Sequence, residues 1–374
     1  MGVKCFQSYI INNIPLKKGK FEIDPLIFKN LTNNIHKIKE KNNGYLILIM
    51  DGFSLFNQIG IKLNYFPFDY KQFMKELEKQ LNLFLSIKGL KELIFVFDGV
   101  DDPFKKDIKC SRDKDRINSV NKLTKNIFNP SNNKRILNYK YYIKYCPSPI
   151  EFTVYIQYLL IRSKKDIKLD IRFALSEADN VIAKLANEKQ GLVISSDSDF
   201  YIYDISGFIN HTSIDISHNS LEQGITYKLY TTDLLENHVG YSKKLFPLMA
   251  TLIGNDFVKA PKSIKNYMMN NNIDESTVTY FDKYEMIEKV IEFLKKCNES
   301  MSKKEIIEKI LKYVFDNEKN INFENYSKSM NKSLEHYNIN SDSEKKLFDL
   351  LKLKITNEIL ESFKNGNINS KILN

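Results

Sequence analysis

The chain has 374 residues, 56 Lys and Arg against 46 Asp and Glu, and a formal net charge of +10. That length supports a sizeable buried core and two or three domains, or one large unit with an annex, and the basic surplus suits a polyanionic ligand. Cys5, Cys110, Cys146 and Cys297 are scattered without a CxxC pair, which argues against a zinc knuckle or disulfide framework; no apolar run approaches the ~20 residues of a membrane helix. A reducing, intracellular setting is expected, with no membrane partner.

In chain order, the first strand signal covers residues 45–50 and runs into Asp51-Gly52. Helical spacing follows at Phe73, Leu77, Leu81 and Phe84. A second strand, 93–97, runs into Asp98-Gly99. From 101 to about 145 the pattern becomes a lysine-rich insertion. In it, Lys105, Lys106, Lys109, Arg112, Lys114 and Arg116 form a basic cluster, and Lys140 and Lys144 alternate with tyrosines whose rings can stack on bases.

A third strand, 171–175, leads into Ser176-Glu177-Ala178-Asp179, then the helical pattern of Val181, Ile182, Leu185 and Ala186. The fourth, 192–194, opens into Ser195-Ser196-Asp197-Ser198-Asp199. An apolar helical run through Leu245, Leu248, Met249, Leu252 and Ile253 stops at Gly254-Asn255-Asp256. Strand signals fade beyond Lys259. Residues 284–374 read as charged amphipathic helices, with Ile306, Ile307, Ile310, Leu311 and Val314 on one face. Strands alternating with helices imply an α/β fold around a parallel sheet.

Taken singly, the acids have ordinary explanations. An Asp-Gly after a strand is a turn, and Ser176 with acids behind it is a helix cap. Together they fall at the C-terminal ends of successive parallel strands, where ligands bind in open sheets. Glu177 and Asp179 can share a ligand only if Glu177 sits outside the regular helix. An extended 197–199 segment would bring Asp197 and Asp199 to one side, where two carboxylates repel unless a cation lies between them. Oxygen donors without His or Cys suit Mg²⁺ or Mn²⁺, and a pair of such ions can activate water and stabilise the leaving oxygen of a phosphodiester.

In order, Met1-Gly2-Val3, Asp51-Gly52, Val96-Phe97-Asp98-Gly99, Ser176-Glu177-Ala178-Asp179, Asp197-Ser198-Asp199 and Gly254-Asn255-Asp256 resemble the XPG-like flap endonuclease superfamily. More narrowly, Leu175 to Asp179, Ser195 to Phe200 and Leu252 to Asp256 are similar to the asteroid family. The resemblance implies a PIN-like three-layer α/β/α nuclease over residues 1–260, with an arch insertion at 101–145 and a helical region at 261–374.

It also implies two Mg²⁺ ions, with Mn²⁺ as a substitute: Asp51, Asp98, Glu177 and Asp179 around one, Asp197, Asp199 and Asp256 towards the other. Gly2 becomes the mature N-terminus beside the site. Lys105 and Arg112 match the arch positions that reach the scissile phosphate; Lys106, Lys109, Arg116, Lys140 and Lys144 add nucleic-acid contacts. The expected activity is structure-selective DNA endonuclease in the nucleus. The stretch from Phe257 to Lys262 lacks the glycine-rich hairpin loop that grips duplex in flap endonucleases, so a single strand or overhang is the expected substrate. A nuclease-like binding scaffold that does not cut, and an RNA-directed nuclease, remain the alternatives.

Overall fold

The computed structural model describes residues 3, 5–21, 46–63, 69–99, 166–215, 225–259, 280–298, 301–317 and 322–339, with a few positions between 105 and 156. Among these, α1 (Phe6–Asn13) and β1 (Lys17–Phe21) precede β2 (Leu46–Asp51), α2 (Gly52–Lys62), α3 (Tyr70–Leu85) and β3 (Leu90–Phe97). Next come β4 (Lys168–Phe173), α4 (Ala178–Lys189), β5 (Leu192–Ser195), β6 (Phe208–Asn210) and β7 (Ile225–Tyr230). The chain continues through α5 (Thr232–Val239), α6 (Phe246–Ile253), α7 (Tyr280–Asn298), α8 (Lys303–Asn317) and α9 (Phe323–His336). By residue contacts it divides into two units that interleave along the sequence. One comprises Met1–Lys17, Asp197–Phe208 and Leu229–Lys346; the other comprises Lys18–Ser196, Ile209–Lys228 and Leu347–Asn374. No helix among the described residues is long and apolar enough to cross a membrane.

The second unit is built on a sheet in the order β1-β7-β6-β5-β2-β3-β4, and β2 pairs in parallel with both β3 and β5 while β3 pairs in parallel with β4. The α/β reading is borne out. Central strands β2, β3 and β5 are almost wholly buried, as continuous apolar runs in a parallel sheet should be. By contrast β4 is an edge strand and alternates, with Arg172 and Asp170 on one face joined at 2.8 Å. It also ends at Phe173, two residues short of the expected span. Helix α3 buries Phe73, Leu77, Leu81 and Phe84, the four residues of its sequence pattern, while α2 packs on β2 and β3 and α4 on β2, β3 and β5.

At the N-terminal end of β3, Glu92 is buried between Lys189 of α4, at 2.9 Å, and Lys168 of β4, at 3.1 Å. Burial pushes the Glu92 carboxyl up, but the two lysines outweigh it and hold the group below the usual glutamate value of 4.5. A carboxyl depressed in the folded state stabilises the protein above the unfolded pKa, and that contribution is lost as pH falls through the folded one. Glu92→Gln is therefore expected to lower stability at neutral pH and to converge on the parent as the pH falls below 4.5 and through the depressed pKa of Glu92. Thermal melts at a series of pH values check this; parallel curves down to pH 3 would contradict it.

In the first unit, α6 packs against α7 and α9, and the fully buried Ser333 of α9 lets Thr251 of α6 approach to 2.7 Å between hydroxyl oxygens. Helix α8 buries Ile306, Ile310 and Val314, as its spacing predicts. Tyr9 of α1 donates to Glu288 of α7 at 2.7 Å and lies 2.9 Å from His238 Nε2 at the end of α5.

Candidate active site

The carboxylates of the second unit arise where its parallel strands end. Asp51 is the last residue of β2 and the N-cap of α2: its Oδ1 accepts from the Ser54 amide at 2.9 Å, and its Oδ2 from the Ser195 hydroxyl at the end of β5, also at 2.9 Å. Neighbouring Ser196 donates its amide to Ser54 Oγ at 2.7 Å and accepts from Gln58 Nε2 at 2.8 Å. The ends of β2 and β5 and the first turn of α2 are thus stitched by hydroxyls, and Asp51 is held in one orientation.

Asp98 follows β3 directly, and its Oδ1 accepts from the Ala178 amide at 2.8 Å. This corrects the expected capping of α4 by Ser176. The N-cap position is Glu177, whose backbone is extended (φ −76°, ψ 136°) and whose side chain makes no capping bond; the acid from the adjoining strand caps the helix instead. Ser176 contributes its carbonyl, which accepts from the Gly99 amide at 2.7 Å. With its backbone outside the helix, Glu177 meets the condition for sharing a ligand with Asp179 in the first turn.

Both Asp-Gly pairs use glycine for close approach. A Cβ at Gly52 would lie 2.1 Å from the Phe97 ring, and one at Gly99 would lie 1.9 Å from the Ala174 carbonyl oxygen. Positive φ occurs at neither.

Lys105 is buried, 3% exposed, and its Nζ lies 3.0 Å from Glu177 Oε2. Burying a charge is costly unless it is paired, and this pair meets that demand. Arg112, Lys106, Lys109, Arg116, Lys140, Lys144 and Gly2 lie outside the described residues.

In the first unit, Asp197 and Asp199 depart from the extended arrangement expected of them. Asp197 caps a 3₁₀ turn, Ser198–Tyr201, and its Oδ1 accepts from the Asp199 amide at 3.1 Å. A Ser/Asp-rich run offers the backbone local side-chain acceptors, which favours a capped turn over continuation of the strand. Asp199 is 2% exposed; Tyr337, just past α9, donates to its Oδ1 at 2.9 Å, and His336 Nε2 lies 3.5 Å from its Oδ2. Burial first, and then the charge of Asp199, hold the Tyr337 hydroxyl far above its usual pKa, so it stays a donor.

Helix α6 ends at Gly254 (φ 96°), as expected of the Gly-Asn-Asp motif. Within that motif the buried anchor is Asn255, whose Oδ1 accepts from the Phe257 and Val258 amides at 3.0 and 3.1 Å. Asp256 is only partly buried. Ser195, Asn255, His336 and Tyr337 were not singled out as functional residues by sequence. Ser195 ends the fourth strand without any mark of its role, and nothing around His336-Tyr337 resembles a motif.

Asp51, Asp98, Glu177 and Asp179, at strand ends and the first turn of α4, offer carboxylate oxygens alone, a donor type that fits a hard divalent cation better than zinc or copper.

Residues 150–333 match the family model described as XPG domain containing. Among curated proteins, the single-strand DNA endonuclease ASTE1 of Danio rerio is 32% identical over 108 residues, 27% of this chain and 16% of that protein. Human ASTE1 is 39% identical over 103 residues, 25% of this chain and 15% of that protein. These matches support an asteroid-type, XPG-like family for the chain. The stretch that this chain shares with those relatives is about a sixth of their length. Of solved structures, flap endonuclease-1 from Methanococcus jannaschii is similar at 14% identity and a TM-score of 0.41, over 90% of this chain and 98% of that one.

Proposed function

We propose that this chain is a metal-dependent endonuclease that hydrolyses phosphodiester bonds in single-stranded DNA or in DNA with single-stranded overhangs. The observation that carries the reading is the sheet edge at which Asp51, Asp98 and Glu177 end or follow parallel strands beside a buried lysine. The name of the ASTE1 relatives supports the substrate class.

Asp51, Asp98, Glu177 and Asp179 would hold one Mg²⁺ or Mn²⁺, and Asp197, Asp199 and Asp256 a second. Bound there, the metal supplies an activated water and polarises the phosphoryl oxygens. The chain's own part is preorganisation. Ser54 and Ser195 fix both oxygens of Asp51, and the Ala178 amide fixes Asp98, so little reorganisation is required when substrate arrives. Lys105, held 3.0 Å from Glu177 beside these acids, would present its ammonium to a non-bridging phosphate oxygen. Arg112 would act beside it, and Lys106, Lys109, Arg116, Lys140, Lys144 and Gly2 would bind along the strand.

The deciding experiment is a panel of labelled single strands, 3′ and 5′ overhangs, flaps and RNA, incubated with Mg²⁺, Mn²⁺ or chelator. Cleavage of single-stranded and overhang DNA with either metal, and none with chelator, is the expected result. Binding should weaken steeply with salt, by counterion release from the phosphates. Salt-sensitive binding with no cleavage under any condition would replace the enzyme by a binding scaffold, and preferential cutting of RNA would reassign the substrate.

A further inference from the structure

The surroundings of Asp199 form a directed chain of hydrogen bonds whose polarity can be worked out donor by donor. Asn255 Oδ1 accepts from two backbone amides, so its Nδ2 is the donor, 2.7 Å from Ser333 Oγ and 3.3 Å from the Tyr337 hydroxyl oxygen. Tyr337 thus accepts from Asn255 and gives its single hydrogen to Asp199 Oδ1 at 2.9 Å. On the other side, Tyr203 gives its hydroxyl hydrogen to the His336 carbonyl at 2.8 Å. His336 Nε2, 3.2 Å from that same oxygen, must then carry a hydrogen. That one hydrogen is directed at the Tyr203 oxygen, and Asp199 Oδ2 lies 3.5 Å from the same nitrogen.

Each carboxylate oxygen accepts along two directions. The bond from Tyr337 to Oδ1, with the His336 ring nitrogen beside Oδ2, restricts the plane of the carboxylate and leaves accepting directions on both oxygens for a cation. Tyr337 and His336 are themselves immobilised: their rings lie 5.0 Å apart, 5.3 and 5.7 Å from Tyr203 respectively, and Phe257 packs on His336 at 4.8 Å. Nothing about this packing needs the Tyr337 hydroxyl, since a phenylalanine ring would fill the same space.

We propose that Tyr337 and His336, at the C-terminal end of α9, are positioning residues that orient Asp199 for a divalent cation. The inference rests on the reading of Asp199 as a metal ligand given above. It gives the C-terminal helices a part in the chemistry, through a tyrosine 138 residues from the acid it holds.

The test uses the full chain and Mn²⁺ alone, titrated by calorimetry and by the electron paramagnetic resonance signal of the free ion. Tyr337→Phe is expected to weaken Mn²⁺ binding about 10-fold or more. It should raise the half-saturating Mg²⁺ for cleavage to match, with most of kcat recovered at high metal. Tyr241→Phe removes a comparably buried hydroxyl, one bonded to Met249 Sδ at 3.1 Å, and should leave metal affinity unchanged. His336→Gln, which keeps an N–H donor, should retain more affinity than His336→Leu. Tyr337→Phe binding as tightly as the parent, or equal loss in the two His336 variants, overturns the positioning role alone. A parent protein that binds no Mn²⁺ overturns the metal reading and this inference together.

Discussion

Gly99→Ala is expected to destabilise the protein by about 3 kcal/mol or more, a large share of the ~5–15 kcal/mol typical of a folded domain. The new Cβ would sit 1.9 Å from the Ala174 carbonyl and 2.9 Å from backbone carbons of Ala174 and Leu175. Backbone cannot rotate away as a side chain can, and the Gly99 amide is tied to the Ser176 carbonyl at 2.7 Å. Relief requires β3 and the segment after β4 to part, which also withdraws Asp98 from the start of α4. Gly191→Ala makes the contrast: its nearest neighbour is the Ile49 Cδ1 methyl at 3.0 Å, which can shift, so a loss of about 1 kcal/mol or less is expected. Urea unfolding followed by far-ultraviolet circular dichroism separates the two, and equal midpoints for both variants would refute the account of Gly99.

The double replacement of Asp197 and Asp199 by Asn should reduce cleavage at least about 10³-fold, equivalent to about 4 kcal/mol of transition-state stabilisation. Asparagine keeps the acceptor that Asp197 offers to the 199 amide and the one Asp199 offers to Tyr337, so the turn should survive and melting should stay within a few degrees of the parent. The substitution removes the charge and one oxygen of each carboxylate, the features that a cation needs. Retained cleavage in a folded double variant would remove both residues from the metal site.

The central strands were legible because a parallel sheet buries both faces and leaves uninterrupted apolar runs, as in β2, β3 and β5. Peripheral elements were not. Lys17–Phe21, with three lysines in five residues, carries no such run, and Phe208–Asn210 is too short to show a period. Every carboxylate proposed for the site could be read as a residue. How it is held could not, because the partners come from far along the chain: Asp98 reaches Ala178 across 80 residues, Ser195 reaches Asp51 across 144, and Tyr337 reaches Asp199 across 138. Local pattern therefore assigned the cap of α4 to Ser176, the nearest candidate, where tertiary structure uses a strand neighbour. It also extended the fourth strand through Asp199, where local side-chain acceptors bend the chain into a turn.

Glu92 near the start of β3 and Asp98 directly after its end have opposite fates. Six residues of extended chain separate them by about 20 Å. At one end the carboxylate is neutralised by two lysines of the fold; at the other it is exposed to solvent. That separation exceeds twice the ~8 Å screening length of physiological saline, so the two charges scarcely sense each other. Thermal robustness and the proposed phosphodiester chemistry thereby fall at different ends of one strand, and Lys168 or Lys189 can be varied to tune the former without resetting the latter.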